Sequence, residues 1–303
     1  MKAVIIEQGK FKTTELPIPK LTGGKVLVRV KAFAFNRADI LQMQGLYGSG
    51  GIIPGLELSG IRVDNGQEVC ALVSGSGFAE YVLLDELEVI NKPTNFSLIE
   101  AAGFLESLAT AYLNIFIKAK VRAGQTILIH GGSSGVGTLA ALMCKLRGLT
   151  VIATSSSDSK LEHCKALGAD HALNYESNYD EVFKGQVDIV LDILGGDYFQ
   201  KNIRCLKASG HLALIGVMAG SVSNISAASI LMKNLTITGQ TLRSKSIRQK
   251  RKIIDRALEN FKFEMDSGKL KPVVDSVHQF ENFYDAAERL ISRQNFGKVI
   301  AVF

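Results

Sequence analysis

The sequence lacks the features that would place it in a membrane, outside the cell or around a metal ion. No apolar run approaches the roughly eighteen residues that span a bilayer. The N-terminus, Met1-Lys-Ala-Val-Ile-Ile-Glu7, is a short strand interrupted by charge, without a signal peptide's apolar region. The expectation is a cytoplasmic protein. Four cysteines, Cys70, Cys144, Cys164 and Cys205, are scattered with no C-x-x-C pair. They read as buried thiols in a reducing compartment, not as disulfides or zinc ligands. The five histidines (His130, His163, His171, His211 and His278) show no metal spacing and read as structural. Repeats and low-complexity linkers are also missing. What remains is 303 residues, 47% apolar and 21% charged, which suits a soluble enzyme of one large domain or two ordinary ones.

A net charge of +6 raises the question of nucleic acid. The clearest basic run, Arg243-Ser-Lys-Ser-Ile-Arg-Gln-Lys-Arg-Lys252, interleaves with Ile247, Ile253 and Ile254 at helical spacing. A solvated helix face accounts for it, and an anionic cofactor accounts for a modestly basic surface.

The richest stretch is His130-Gly-Gly-Ser-Ser-Gly-Val-Gly137. An apolar strand, Thr126 to His130, runs into it, and a helix, Thr138 to Arg147, leaves it. Strand, glycine turn and helix cradle a dinucleotide pyrophosphate, because small residues let backbone N–H groups approach phosphate at a helix N-terminus. The motif is degenerate, with Ser134 where a second glycine belongs. The next strand, Thr150 to Thr154, ends in Thr154-Ser-Ser-Ser-Asp-Ser-Lys160. Hydroxyls and an ammonium suit a 2′-phosphate, where an NAD site would place a carboxylate. The expected cofactor is therefore NADPH, with Asp158 left to cap the following helix.

Two textures divide the chain. The first hundred residues hold short alternating segments, including Val26 to Ala32, Glu68 to Leu72 and Phe78 to Leu84. Turns at Gly23-Gly24, Gly48 to Gly51, Asp64-Asn-Gly66 and Gly75 to Gly77 separate them, predicting a barrel-like β region. Ser97-Leu-Ile-Glu100 reads as a capping box opening a helical connector. From Gln125, strands at Thr126 to His130, Thr150 to Thr154, Ala172-Leu173, Val187 to Asp192, His211 to Gly216 and Leu235 to Gly239 alternate with helices. That alternation predicts a doubly wound parallel sheet. One long helical stretch, Ile247 to Asp266, follows, and the tail returns to β character. The fold class is α/β, a Rossmann-type sheet at 113–271 and a β-rich domain at 1–112 completed by 272–303, with a cofactor cleft between them.

Several segments together resemble the zinc-free medium-chain dehydrogenase/reductase superfamily, in its quinone oxidoreductase branch. They are Asn36-Arg-Ala-Asp39, Gln44-Gly-Leu-Tyr47, Pro54-Gly-Leu-Glu-Leu-Ser-Gly60, Gly77-Phe-Ala-Glu-Tyr81, Gly131 to Gly137, Leu167-Gly-Ala-Asp170, Asn174-Tyr175, Leu191-Asp-Ile-Leu-Gly-Gly196 and Gly239-Gln-Thr-Leu-Arg-Ser244. The resemblance covers essentially the whole chain and implies that the β-rich domain is GroES-like. Zinc-dependent cousins need Cys where Asn36 stands, Gly-His-Glu where Gly55-Leu-Glu57 stands, and a four-Cys lobe. The chain is also short between Gly60 and Gly66, which trims a peripheral hairpin.

The resemblance implies site residues position by position. Asn36, Tyr47 and Thr110 line the nicotinamide and the acceptor. Gly132, Gly135, Val136 and Gly137 form the pyrophosphate turn. Ser155, Ser156, Lys160 and Tyr175 hold the 2′-phosphate. Ile215, Gly216, Gly239, Gln240, Thr241 and Leu242 wall the carboxamide, and Lys298 reaches toward the phosphates. Each has a plainer reading. Asn36 can be an N-cap, Tyr47 an exposed loop tyrosine, Thr110 a packing residue and Tyr175 a strand-end ring. Glu57 satisfies local backbone donors, and Asp192 either touches ribose or shapes a turn.

The expected reaction needs few protein groups: hydride delivery from NADPH to a flat conjugated acceptor held close in a dry site. A quinone fits, with Asn36 and Tyr47 orienting its oxygen and Tyr47 a proton donor. Rivals are reduction of a 2-alkenal or enone, and an NADPH-binding structural or RNA-binding protein without turnover. The strand Leu235 to Gly239, as the last of its sheet, offers an edge for a homodimer.

Overall fold

The computed structural model describes residues 1–47 and 51–303. The glycine turn expected at Gly48 to Gly51 lies, but for Gly51, outside the described residues. The chain divides into two compact units, Met1–Glu106 with Ser246–Phe303, and Ser107–Lys245. The strands of the first unit are β1 (Lys2–Glu7), β2 (Lys10–Glu15), β3 (Lys25–Ala34), β4 (Glu57–Arg62), β5 (Glu68–Leu72), β6 (Tyr81–Asp85) and β7 (Val89–Asn91). Those of the second are β8 (Thr126–His130), β9 (Thr150–Ser155), β10 (His171–Asn174), β11 (Val187–Asp192), β12 (Leu206–Leu214) and β13 (Thr236–Gly239). The chain then returns to the first unit with β14 (Val274–Gln279) and β15 (Lys298–Val302).

In the first unit, β1 and β2 form a hairpin, and a second sheet runs β14-β15-β3-β4-β5-β7 with β6 also on β3. Pairing is antiparallel except between β14 and β15. Val26, Val28 and Val30 of β3 all point into the core, as period-2 patterning requires. That core is rich in phenylalanine: Phe33 lies 4.6 Å from Phe78, and Phe35 lies 4.9 Å from Phe283. Edge and tilted ring contacts of this kind add to the burial they accompany. The shortened Gly60–Gly66 region is a compact β4–β5 turn. Arg62 grips Asp64 through Nη2 at 2.7 Å and Glu86 through Nη1 at 2.6 Å, and Gly66 takes φ +76°.

The helical stretch read as one piece belongs to this unit and is two helices, Ile247–Asn260 and Lys262–Asp266. It breaks at Phe261, whose ring is buried while its backbone leaves helical geometry at φ −114°. Ile253, Ile254 and Ala257 give the first helix a buried face, Lys250 donates to Ser74 Oγ at 2.9 Å, and Arg251 donates to the Val89 carbonyl. Those contacts decide its allegiance, which helical periodicity alone cannot. The other unit boundary falls within helix Leu105–Ala111.

The second unit is a six-stranded parallel sheet in the order β10-β9-β8-β11-β12-β13. Its first strand is central, with two successors on one side and three on the other. The order therefore reverses between β8 and β11, and ligands of open parallel sheets bind beyond the carboxyl ends of strands at such a point. Strand Thr126–His130 is buried from Ile127 onward, the near-continuous apolar run that a strand covered on both faces needs.

Candidate active site

The parallel register brings the expected cofactor residues of the second unit to one edge of its sheet. The β8 tip enters the glycine turn, where Gly131 takes φ +67°. A methyl group on Gly137 would lie 2.1 Å from the Gly131 carbonyl oxygen, and one on Gly132 2.7 Å from Ala153 Cβ. Only glycine lets the turn close this tightly against β9 and its own helix. Ser134 caps helix Gly135–Leu146, its Oγ accepting from Gly137 N at 3.0 Å. Gly135 and Val136 stand at the first two helical positions, where backbone N–H groups have no intrahelical acceptor and suit an anion. The turn fits a dinucleotide's pyrophosphate.

The next tip carries hydroxyls. Ser155 is buried and its Oγ lies 2.8 Å from Ser133 Oγ, a partner the motif reading passed over although it sits inside the glycine turn. Ser156 is exposed and Lys160 half-buried on the following helix. Ser157 holds the N-cap position and Asp158 is the first helical residue, so the expected Asp158 cap is corrected by one residue. An acidic side chain there still suits the helix dipole. Tyr175 donates its backbone N–H to the Ser155 carbonyl at 3.1 Å, and its ring meets Tyr198 edge-on at 5.8 Å. Tyr198 opens helix Tyr198–Cys205, too far along the chain for spacing to reveal it.

On the other side of the sheet's midpoint, Ile215 donates to the Asp192 carbonyl at 2.8 Å, and Gly216 packs where a methyl would lie 2.9 Å from the Ile193 carbonyl oxygen. Gly239 pairs with Leu214, and Gln240, Thr241 and Leu242 follow in a turn tied by Lys245 Nζ to Gln240 Oε1 at 2.8 Å. Asp192 shapes a turn. Its Oδ1 accepts from Leu194 N at 2.7 Å and Gly195 N at 3.2 Å, and its Oδ2 accepts from Asn202 Nδ2 at 3.1 Å.

Beneath these tips lies a closed polar network. Asn202 Oδ1 accepts from Tyr179 OH at 3.0 Å and lies 2.7 Å from His130 Nε2. Because Asn202 turns its Nδ2 to Asp192 and its oxygen to the ring, His130 must carry its proton on Nε2 and accept from Thr154 Oγ1 at 2.8 Å through Nδ1. Burial lowers the His130 pKa, with Asp192 and Asn202 opposing, and favours a neutral ring. The structural reading of this histidine is the one the geometry gives.

In the first unit, Asn36 precedes helix Arg37–Met43 and is 6% exposed. Its backbone N–H donates to Asp39 Oδ2 at 2.7 Å. Its amide oxygen accepts from Lys298 Nζ at 2.6 Å, and its Nδ2 donates to Glu57 Oε1 at 3.1 Å. Lys298 also binds Glu57 Oε1 directly, and Glu57 Oε2 accepts from Glu106 N at 3.0 Å. Lys298 was expected near phosphates. It is 3% exposed, and its ammonium binds Asn36 and Glu57. Glu57, expected to satisfy local donors, anchors groups from three distant segments. Burial pushes the Asp39 carboxyl up to about 8, against the Asn36 N–H and the nearby Lys298 charge. Its Oδ1 has no partner. Tyr47 is half-buried in this unit, and Thr110 is half-buried on helix Leu105–Ala111 of the second.

Among the described residues, no three or more His, Cys, Asp or Glu side chains converge as a metal site would. No helix there is long and apolar enough to cross a membrane. Burial raises all four thiols, Cys70 to about 12.

Residues 135–259 match the zinc-binding dehydrogenase family. The chain is 30% identical to the synaptic vesicle membrane protein VAT-1 homolog of Rattus norvegicus, over 97% of this chain and 81% of the relative. The chain belongs to the medium-chain dehydrogenase/reductase superfamily, in its quinone oxidoreductase branch. It is 32% identical to the VAT-1 homolog of Danio rerio over 93% of its own length, and spans 65% of that relative. Among solved structures, the quinone oxidoreductase from Thermus thermophilus, known also in its complex with NADPH, superposes with TM-score 0.87 at 29% identity over 100% of both chains. An NAD-dependent alcohol dehydrogenase does so with TM-score 0.86 at 28% identity, again over 100% of both. Membership makes the protein an oxidoreductase that uses a nicotinamide cofactor.

Proposed function

We propose that this oxidoreductase takes its reducing equivalents from NADPH and passes them to a quinone without a metal. The observation that carries the reading is the β9 tip, where Ser155 and Ser156 with Lys160 and Tyr175 stand in place of a carboxylate. A carboxylate there would repel a 2′-phosphate; hydroxyls and an ammonium attract one. Similarity to the Thermus quinone oxidoreductase supports the acceptor class.

When bound, NADPH supplies the hydride. Gly132, Gly135, Val136 and Gly137 would hold its pyrophosphate, and Ile215, Gly216 and the Gly239 to Leu242 turn would border its nicotinamide end. Asn36 orients an acceptor oxygen, Tyr47 donates to it, and Thr110 packs beside the reacting ring. The metal-free element of the reading is supported by the first-unit cluster, in which Asn36 and Glu57 are committed to a lysine ammonium. A conjugated acceptor tolerates this, because its reduced anion is stable enough to take a proton without a strong acid.

The reading includes a cytoplasmic homodimer. The β13 edge supports it, with Leu231 and Met232 just before that strand 79% and 82% exposed. A monomeric mass by light scattering would remove the dimer. The enzyme claim is tested by NADPH and NADH oxidation across ortho-quinones, para-quinones and alkenals without oxygen. Quinone turnover favouring NADPH is the expected result. Turnover with alkenals alone reassigns the acceptor to an enone, and cofactor binding with no turnover leaves a structural or RNA-binding protein.

A further inference from the structure

We infer that Lys298 is a positioning residue that locks the amide of Asn36 in one orientation. The inference rests on the reading of Asn36 as the group that orients the acceptor, and deepens it. An asparagine amide can turn end for end, exchanging its oxygen and its NH2. Lys298 carries donors only and the Glu57 carboxylate, when ionised, acceptors only, so one end of the amide must be oxygen and the other NH2. Lys298 faces the oxygen at 2.6 Å and Glu57 faces the nitrogen at 3.1 Å. Turning the amide would set NH2 against an ammonium and oxygen against a carboxylate.

The clamp also decides what remains for a ligand. One Nδ2 proton goes to Glu57; the other has only a 3.4 Å approach to the Ala34 carbonyl. That second proton is the one an acceptor oxygen can take over. The lysine charge on the far side of the amide polarises it and strengthens that donor.

The backbone makes room for this lysine. Gly297, just before it, takes φ +95°, and a methyl there would lie 2.3 Å from the Val273 carbonyl oxygen. A methyl on Gly103 would press on Lys298 Cβ and Cγ at 3.1 and 3.2 Å. Reaching out to a phosphate would strip Glu57 of its only cation in this set of contacts.

The test compares wild type with Lys298→Met, Lys298→Gln and the Glu57→Gln/Lys298→Met double variant. NADPH affinity is read by fluorescence and NADPH oxidation by single turnover. Lys298→Met should slow turnover about a hundred-fold, as misplaced reacting groups do, with NADPH Kd unchanged. Lys298→Gln, which keeps a donor for the Asn36 oxygen, should recover about ten-fold of that loss. The double variant removes the unpaired buried charge and folds more readily, yet should stay as slow as Lys298→Met.

Recovery of rate in the double variant would make the lysine merely structural and overturn the inference. So would an unchanged saturated rate with NADPH Kd raised about ten-fold, the signature of a phosphate ligand. Wild type that binds NADPH but reduces nothing defeats the quinone reading, not this one. The side-chain amide signals of Asn36 then decide. Slow proton exchange in wild type, lost in Lys298→Met, supports the clamp, and identical signals in both overturn it.

Discussion

Each unit buries a polar cluster, and the two are built on opposite principles. In the second, His130, Thr154, Tyr179, Asp192 and Asn202 form a closed circuit in which one carboxyl group accepts from three N–H donors. In the first, Asn36, Asp39, Glu57 and Lys298 hold several ionisable groups and leave Asp39 Oδ1 without a partner. Buried polar groups are ordinarily paired, because an orphan costs its full desolvation. A circuit in which every buried polar atom has a partner suits holding strand tips in place. A cluster with an unpartnered carboxyl oxygen and a weakly engaged amide proton has something left to exchange with a ligand.

Breaking the closed circuit should have the largest effect on stability. Asn202→Leu orphans Asp192 Oδ2, His130 Nε2 and the Tyr179 hydroxyl together, at about 1–3 kcal/mol each, so roughly 4 kcal/mol is expected after relaxation. Chemical denaturation measures it. A loss under 1 kcal/mol would mean that water or rearrangement replaces the asparagine. Asn36→Ala sharpens the contrast from the other unit. Lys298 and Glu57 keep each other there, so stability should fall by only about 1 kcal/mol while turnover drops by about ten-fold or more.

The β9 tip offers a second break, read in binding. Ser156→Asp restores a carboxylate where the hydroxyls stand, and like charge against a 2′-phosphate should cut the NADPH-over-NADH preference about a hundred-fold, or ~2.7 kcal/mol. The two dissociation constants report it directly. An unmoved ratio would show that the 2′-phosphate, if bound at all, lies elsewhere.

These differences track what a sequence can disclose. The glycine turn was legible because its parts are contiguous and its chemistry is backbone chemistry. The six parallel strands were legible as apolar runs between helices. The contacts of Lys298 were hidden because its partners, Asn36 and Glu57, lie 262 and 241 residues away. Spacing cannot reveal a contact closed only by the pairing of β15 with β3. The helix after Ser246, read into the 113–271 stretch, packs on the first unit, and its partners were hidden for a related reason. Its apolar face was visible, but not the surface it would cover. Ser133 stood in view, yet only the register of β8 on β9 shows that its hydroxyl meets Ser155.

A pH series isolates the orphan itself. Asp39 is fully buried, and desolvation carries its carboxyl up to about 8 from the ordinary 3.8, opposed by the Asn36 N–H and Lys298 and reinforced by Glu57 and Glu106. Between those limits the folded chain keeps a proton that the unfolded chain has released. Stability contributed at this position is therefore present below about pH 4 and declines as pH rises toward 8, by at most about 1.4 kcal/mol per pH unit. Asp39→Asn is neutral throughout and should abolish that slope. The stability difference between variant and wild type, measured from pH 5 to pH 8, should widen steadily in favour of the asparagine. A constant difference would mean that Asp39 is ionised in the folded chain. Its unpartnered oxygen would then be a buried anion held by the Lys298 charge, and the first-unit cluster would be closed electrostatically, much as its counterpart is closed by hydrogen bonds.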